Sequence, residues 1–267
     1  MEDEEDAYQH VEVIMKEIVS NKDIPKEQKE IAYCIGTNIF RIGRGMDNYE
    51  MSDLKEYLVQ ALDTVYNLMK KGNKESVEKM RKISLASESI YRHIDLIQDK
   101  IKEISDEVES MDKGLEGKVV ENTIPKIGNE EDDIYKDTTE KIEKIQKLDW
   151  TPESEKELAY RIGSAVLDVG SEMDIYCFGD APLFIHDALK IVHSMMENGR
   201  KNKYELPIIK DLAKDSERIL RYFRLIEVVL QKIDTNTQTL EKKIKKEDTE
   251  REKIVDKIIA DMRNQNA

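Results

Sequence analysis

The sequence predicts an all-α chain, a tandem duplication of a four-helix unit with long coiled-coil-like last helices. Three observations predict it. The chain matches itself at a shift of 127 residues. Prolines and glycines are sparse, 5 and 11 in 267 residues. Apolar residues recur every three or four positions, the spacing of one helix face.

The self-match is densest where 25–49 falls on 152–176 without a gap. Identical pairs there are Pro25/Pro152, Lys29/Lys156, Glu30/Glu157, Ala32/Ala159, Tyr33/Tyr160 and Ile35/Ile162, then Gly36/Gly163, Gly43/Gly170, Met46/Met173, Asp47/Asp174 and Tyr49/Tyr176. Unrelated stretches of this length would share one or two. The match continues at the same offset through Ala61/Ala188, Leu62/Leu189 and Val65/Val192. After a two-residue insertion, Ile90, Arg92, Leu96 and Ile97 fall on Ile219, Arg221, Leu225 and Ile226. A fixed period of this kind is read as an internal repeat before anything else.

The first helix of a unit is expected over 4–21, with Val11, Ile14, Ile18 and Val19 near one face, ending in the loop 21–25. Pro25 suits the first turn of a second helix over 26–46. Thr151, Pro152, Glu153 and Glu155 give the second copy a stronger start: an N-cap, then proline, then acids in the first turn. Ala32, Gly36, Ile39, Gly43 and Met46 share a face of that helix. Two retained glycines, each costing about 1 kcal/mol inside a helix, point to close approach of another helix backbone, with room for a ligand as the alternative. A third helix over 53–71 has an apolar stripe of Leu58, Ala61, Leu62, Val65 and Met69, and Gly72 and Gly199 stand as stops.

The fourth helix is long, 75–113, with Ile90, Ile94, Ile97, Ile101, Ile104, Val108 and Met111 stepping by four and three. That is a coiled-coil seam. Its counterpart is expected to run from 205 to 263 and to close on Ile254, Ile258 and Met262. The polar stretch 234–253 is a candidate break. These elements divide the chain into helical repeat 1 (1–113), a glycine-bearing linker (114–129), helical repeat 2 (130–233) and a C-terminal helical extension (234–267).

Composition narrows the function classes. Charged residues make up 37% and the net charge is −14. That balance disfavours nucleic-acid or anionic-lipid binding, which rests on a basic surface. The basic runs Gly199–Lys203 and Lys242–Lys246 are expected to be solvated faces. Apolar runs stay well short of a membrane span. Residues 2–6 are all acidic where a signal peptide would be basic and then apolar. Cys34 and Cys177 form no CxxC pair. A reduced, cytoplasmic protein is expected.

Catalytic motifs are scarce. Phosphate-cradling, nucleophile-elbow and zinc-cluster patterns are missing from the sequence. His10, His93, His186 and His193 lie in no His-x-x-x-His pair, and surface or core-edge places are expected for them. Glu27-x-x-Glu30 followed by Glu50-x-x-Asp53 could hold Mg²⁺ on adjacent helices. This spacing resembles the acidic motif of the all-helical MazG-type nucleoside-triphosphate pyrophosphohydrolases. The resemblance covers four residues and implies a Mg²⁺-dependent hydrolase. Ser154 and Cys177 replace two of the acids in the second copy.

Tandem helical repeats with long hairpins also resemble, in layout, the PhoU family of phosphate-transport regulators. That likeness implies a metal- or phosphate-responsive regulator using acids of both repeats, with Asp47 and Asp174 as the pair to test. Those proteins carry a Glu/Asp-x-x-x-Asp motif on matching helices, and 83–97 and 211–226 share no such pair here.

The polar and aromatic residues kept at the offset are the remaining candidates: Lys29, Glu30, Tyr33, Asp47 and Tyr49, with Lys156, Glu157, Tyr160, Asp174 and Tyr176. Packing explains most such retention. The expectation is therefore a non-enzymatic interaction or regulatory protein, with no cofactor required and Mg²⁺ the one metal with a candidate site. It would self-associate or bind a partner helix by burying Ile97–Met111 or Ile254–Met262 in a helical groove.

Overall fold

The computed structural model describes residues 2–46, 52–71, 76–114, 131–173, 181–197 and 206–265. Among these the chain is all-α, with eight helices: α1 (Glu2–Ser20), α2 (Lys26–Met46), α3 (Ser52–Lys70), α4 (Val77–Gly114), α5 (Glu131–Gln146), α6 (Glu153–Met173), α7 (Ala181–Glu197) and α8 (Leu206–Gln265). Of the linker expected over 114–129, Gly114 is the last residue of α4 and the rest lies outside the described residues. No described helix is long and apolar enough to cross a membrane.

The turns follow local chemistry. The Pro25 carbonyl accepts from the amides of Gln28 (3.0 Å) and Lys29 (3.1 Å), and the Pro152 carbonyl from Glu155 (2.9 Å) and Lys156 (3.1 Å). Proline lacks an N–H, which a first helical turn leaves unpaired in any case. The preceding helices end under lysine side chains. Lys29 Nζ donates to the Val19 carbonyl at 2.9 Å and Lys156 Nζ to the Gln146 carbonyl at 3.2 Å. A cation there satisfies a carbonyl that the helix itself cannot, and it complements the helix dipole.

The chain forms two compact units. Unit 1 comprises 1–44, 54–91 and 228–267; unit 2 comprises 45–53 and 92–227. These units cut across the repeat boundaries expected from the sequence, because α4 and α8 are 38 and 60 residues long. At 1.5 Å per residue they span about 57 and 90 Å, more than one small helical unit can cover, and each contributes to both units.

In unit 1, α1 and α2 run antiparallel, since Tyr8 stacks on Phe40 at 5.8 Å and Met15 covers Gly36. Helix α3 runs parallel to α1, with His10 Nε2 2.9 Å from Asp63 and Tyr66 donating to Glu17. Arg81 pairs with Glu27 and Arg41 lies 5.4 Å from the Tyr91 ring centre, so α4 runs parallel to α2. The core is aliphatic: Ile18, Ile35, Ile39, Leu58, Leu62, Leu68, Met80, Ile83 and Ile90 are fully buried. One polar bridge crosses it. Asn38 donates to Ser87 Oγ at 3.0 Å, and Ser87 donates to the Ser84 carbonyl at 2.8 Å.

Unit 2 joins α5, α6 and α7 to 92–114 of α4 and 206–227 of α8. Ile142 of α5 covers Gly163 of α6, with Leu189 of α7 beside it. Arg161 grips Glu217 at 2.5 and 2.6 Å, and Arg224 reaches Asp168 at 3.5 Å, setting α8 parallel to α6. Trp150 Nε1 donates to the Met196 carbonyl at 2.9 Å, tying the α5–α6 turn to the end of α7.

The glycine expectation is corrected in kind. What approaches Gly36 and Gly163 is a side chain, Met15 or Ile142, and not a helix backbone. The polar stretch 234–253 is helical throughout and contains no break.

Candidate functional site

The carboxylates of the Mg²⁺ expectation do not come together in what the structure describes. Glu27 pairs with Arg81, and Glu30 lies 3.6 Å from Lys26, one turn away and largely solvated. Glu50 lies outside the described residues, as does the side chain of Asp53. Helices α2 and α3 are antiparallel, so Glu27 and Glu30 stand at the end where α3 finishes. Among the described residues no group of three or more His, Cys, Asp or Glu is placed to hold a metal ion.

The residues kept at the 127-residue offset sort by role. Lys29 and Lys156 cap helices. Tyr33 and Tyr160 are both largely solvent-exposed, at 60% and 51%. Glu157 is also exposed. Asp47, Tyr49, Asp174 and Tyr176 lie outside the described residues.

The isoleucine seam divides. Ile97, Ile101, Ile104 and Met111 are buried within unit 2, with Val108 half-buried. This half of the expected interaction seam is therefore already covered by its own chain. Helix α4 there runs antiparallel to α8: His93 lies 6.1 Å from the Tyr222 ring, and Lys100 Nζ lies 3.4 Å from Asp215. The other half differs. Ile254 is 59% exposed on helical backbone. Ile258 and Met262 follow on that helix, their side chains outside the described set.

Sequence reasoning missed the charge cluster between α4 and α8 of unit 2. Asp215 is buried and held by Arg218 at 2.9 Å and by Lys100, which also pairs with Glu103. Glu107 lies one turn beyond Glu103, and its Oε2 is buried without a hydrogen-bond partner. Burial, followed by the charges of Asp215, Asp211 and Glu103, pushes the Glu107 carboxyl up to about 7. Nothing in the spacing of these acids set them apart in a chain so rich in charge.

The histidine expectation holds for exposed His10 and half-buried His93 and is corrected for the other two. His186 and His193 are 3% and 8% exposed, buried on the face of α7 that meets α5. His186 Nε2 lies 2.7 Å from Asp137, whose other oxygen accepts from Lys141 at 2.8 Å. At 59 and 66, the places 127 residues earlier, stand Val59 and Tyr66. Burial, then the hydrogen bond to Glu17, raises the Tyr66 hydroxyl above its ordinary range. Glu17 is lowered chiefly by that same bond, with Lys70 beside it at 3.4 Å.

The chain matches no protein-family model, no curated protein and no solved structure. Its function is therefore read from these surfaces alone.

Proposed function

We propose that this chain is a non-enzymatic helical interaction protein. It would work by burying the amphipathic end of α8, Ile254–Met262, against a second copy of itself or against a partner helix. The observation that carries this reading is the reach of α8. Asp248 meets Lys71, the residue after the end of α3, at 2.5 and 2.6 Å. The helix then continues to Gln265, roughly 25 Å further, with Ile254 exposed. Ile254, Ile258 and Met262 step by four, the spacing with which a helix fills a groove.

The repeat belongs to the same reading. Equivalent lysine caps, equivalent proline turns and equivalent glycine notches recur at one offset, which supports two copies of one ancestral unit. Both copies kept the contacts that hold three helices together. Their last helices differ in length, and the longer one supplies the interaction segment.

Sedimentation velocity over a hundredfold range of concentration tests the proposal, comparing wild type with Ile254→Glu/Ile258→Glu. Wild type should associate, or retain a helical partner through purification, and the double variant should do neither while keeping its helical circular dichroism. A wild type that stays monomeric and unpartnered at every concentration removes the proposal, as does a double variant that behaves like wild type.

A further inference from the structure

Two buried imidazoles stand on one side of α7 in unit 2, two turns apart. His186 uses Nε2 toward Asp137, and its Nδ1 is buried without a hydrogen-bond partner. His193 Nε2 is likewise buried and unpartnered, with the Glu197 carboxylate 3.4 Å away in poor alignment. Between them on α7 lies Leu189, which backs the Ile142–Gly163 contact where α5, α6 and α7 meet. The two rings thus bracket the centre of this three-helix contact.

The surroundings suit neutral rings. From α5, Asp137, Lys141 and Lys144 face them; from α7, Asp187, Lys190 and Glu197 do so. Asp137 is shared, since Lys141 already occupies its other oxygen. A proton on His186 would have half a counter-ion and Lys190 one turn away. A proton on His193 would sit near Lys141 and Lys144, with Glu197 and the already shared Asp137 to balance it. Helix α6 meets this contact at Gly163, which offers a charged ring nothing. A charge buried among such neighbours is expensive unless fully paired.

We infer that the α5–α7 contact of unit 2 is a proton-operated latch, closed while His186 and His193 are neutral and loosened when both take up protons under mildly acidic conditions. The sign follows from the environment. Burial, then Lys190, lowers His186; burial lowers His193, with the two α5 lysines adding to it and Glu197 and Asp137 opposing. The unfolded chain therefore binds protons first, so stability is full above about pH 6.5 and falls as pH drops below it. Opening would uncover Ile185, Leu189 and Val192, all buried when closed. Unit 1 has Val59 and Tyr66 at the corresponding places and lacks the device.

Hydrogen exchange between pH 7.5 and 5.5, corrected for intrinsic rates, tests the latch in the intact chain. Protection of α5 and α7 should fall about tenfold for each unit by which a ring's pKa is lowered, with α1 and α3 as internal reference. In His186→Val/His193→Tyr, which installs the residues of unit 1, that extra loss should vanish. Equal pH dependence in the two units of wild type, or its survival in the variant, would overturn the inference. Imidazole NMR titration of the wild type gives a reading that does not depend on the variant folding. Both buried rings should titrate below 6.5, and titration at or above that value would overturn the latch as well.

Discussion

At position 163 a missing side chain matters more than most that are present. A Cβ there would sit 2.5 Å from Ile142 Cδ1 and 2.7 Å from Cγ1, with Leu189 behind it at 3.4 Å. Isoleucine is branched and stiff, and two of its side-chain carbons crowd the same point. At Gly36 the intruding atom would be Met15 Sδ at 2.7 Å, part of an unbranched chain that can swing away. Alanine gains about 1 kcal/mol over glycine in a helix, while overpacking costs about 1–3 kcal/mol. Gly36→Ala should therefore lie within about 1 kcal/mol of wild type in urea unfolding, and Gly163→Ala should destabilise by about 1–2 kcal/mol. Adding Ile142→Ala to Gly163→Ala should recover much of that loss. Simple additivity of the two changes would show that the notch is not where the glycine acts. The glycines were legible in the sequence as positions that the fold needed open. That their neighbours are side chains, one pliable and one stiff, was not, because periodicity gives a face and not what meets it.

The long helices show what pattern reading reaches and where it stops. Ile97–Met111 announced itself because isoleucine at alternating spacings of four and three lines up along one side of a helix. The span 234–253 looked like a break because its buried face is built from Thr237 and Leu240, with Glu241 receiving Thr64 and Gln60 at 3.5 and 3.4 Å. Thr235, Asn236 and Thr239 turn back on the carbonyls one turn before them, so these three side chains satisfy themselves without leaving the helix. Within unit 2, the contact of α4 with α8 carries a pH dependence opposite in sign to that of the histidines. The Glu107 carboxyl is raised from 4.5 to about 7. Its contribution is fully present below about pH 4.5 and is lost as pH rises through 7, because the unfolded chain releases the proton first. Glu107→Gln, which cannot ionise, should stabilise the protein at pH 8 by about 1–3 kcal/mol and change little at pH 4.5. Thermal unfolding across that range reads the difference, and a uniform effect at all pH values would mean that Glu107 acts through packing instead.

For the molecule as a whole, charge decides how association must behave. Class and helix count were legible in the sequence because two halves repeat the same start signals, Pro25 and Pro152, and the same core spacing. The compact units were not, because nothing in a heptad says that one helix will serve two of them. The acid quartet was misleading for a related reason. Glu27 and Glu30 lie near Glu50 and Asp53 in sequence, but the antiparallel hairpin carries the first two to its other end. Two chains of net charge −14 repel over a Debye length, about 10 Å at 0.1 M salt and 3 Å at 1 M. Burial of Ile254, Ile258 and Met262 gains nothing from ion pairs that salt would weaken. Self-association through the end of α8 should therefore tighten as sodium chloride rises from about 50 to 500 mM, by severalfold in dimer dissociation constant, and Ile254→Glu should abolish it at both salts. Association that weakens with salt would point instead to a basic partner surface meeting the acidic face of this chain, and the apolar segment would then not be the contact.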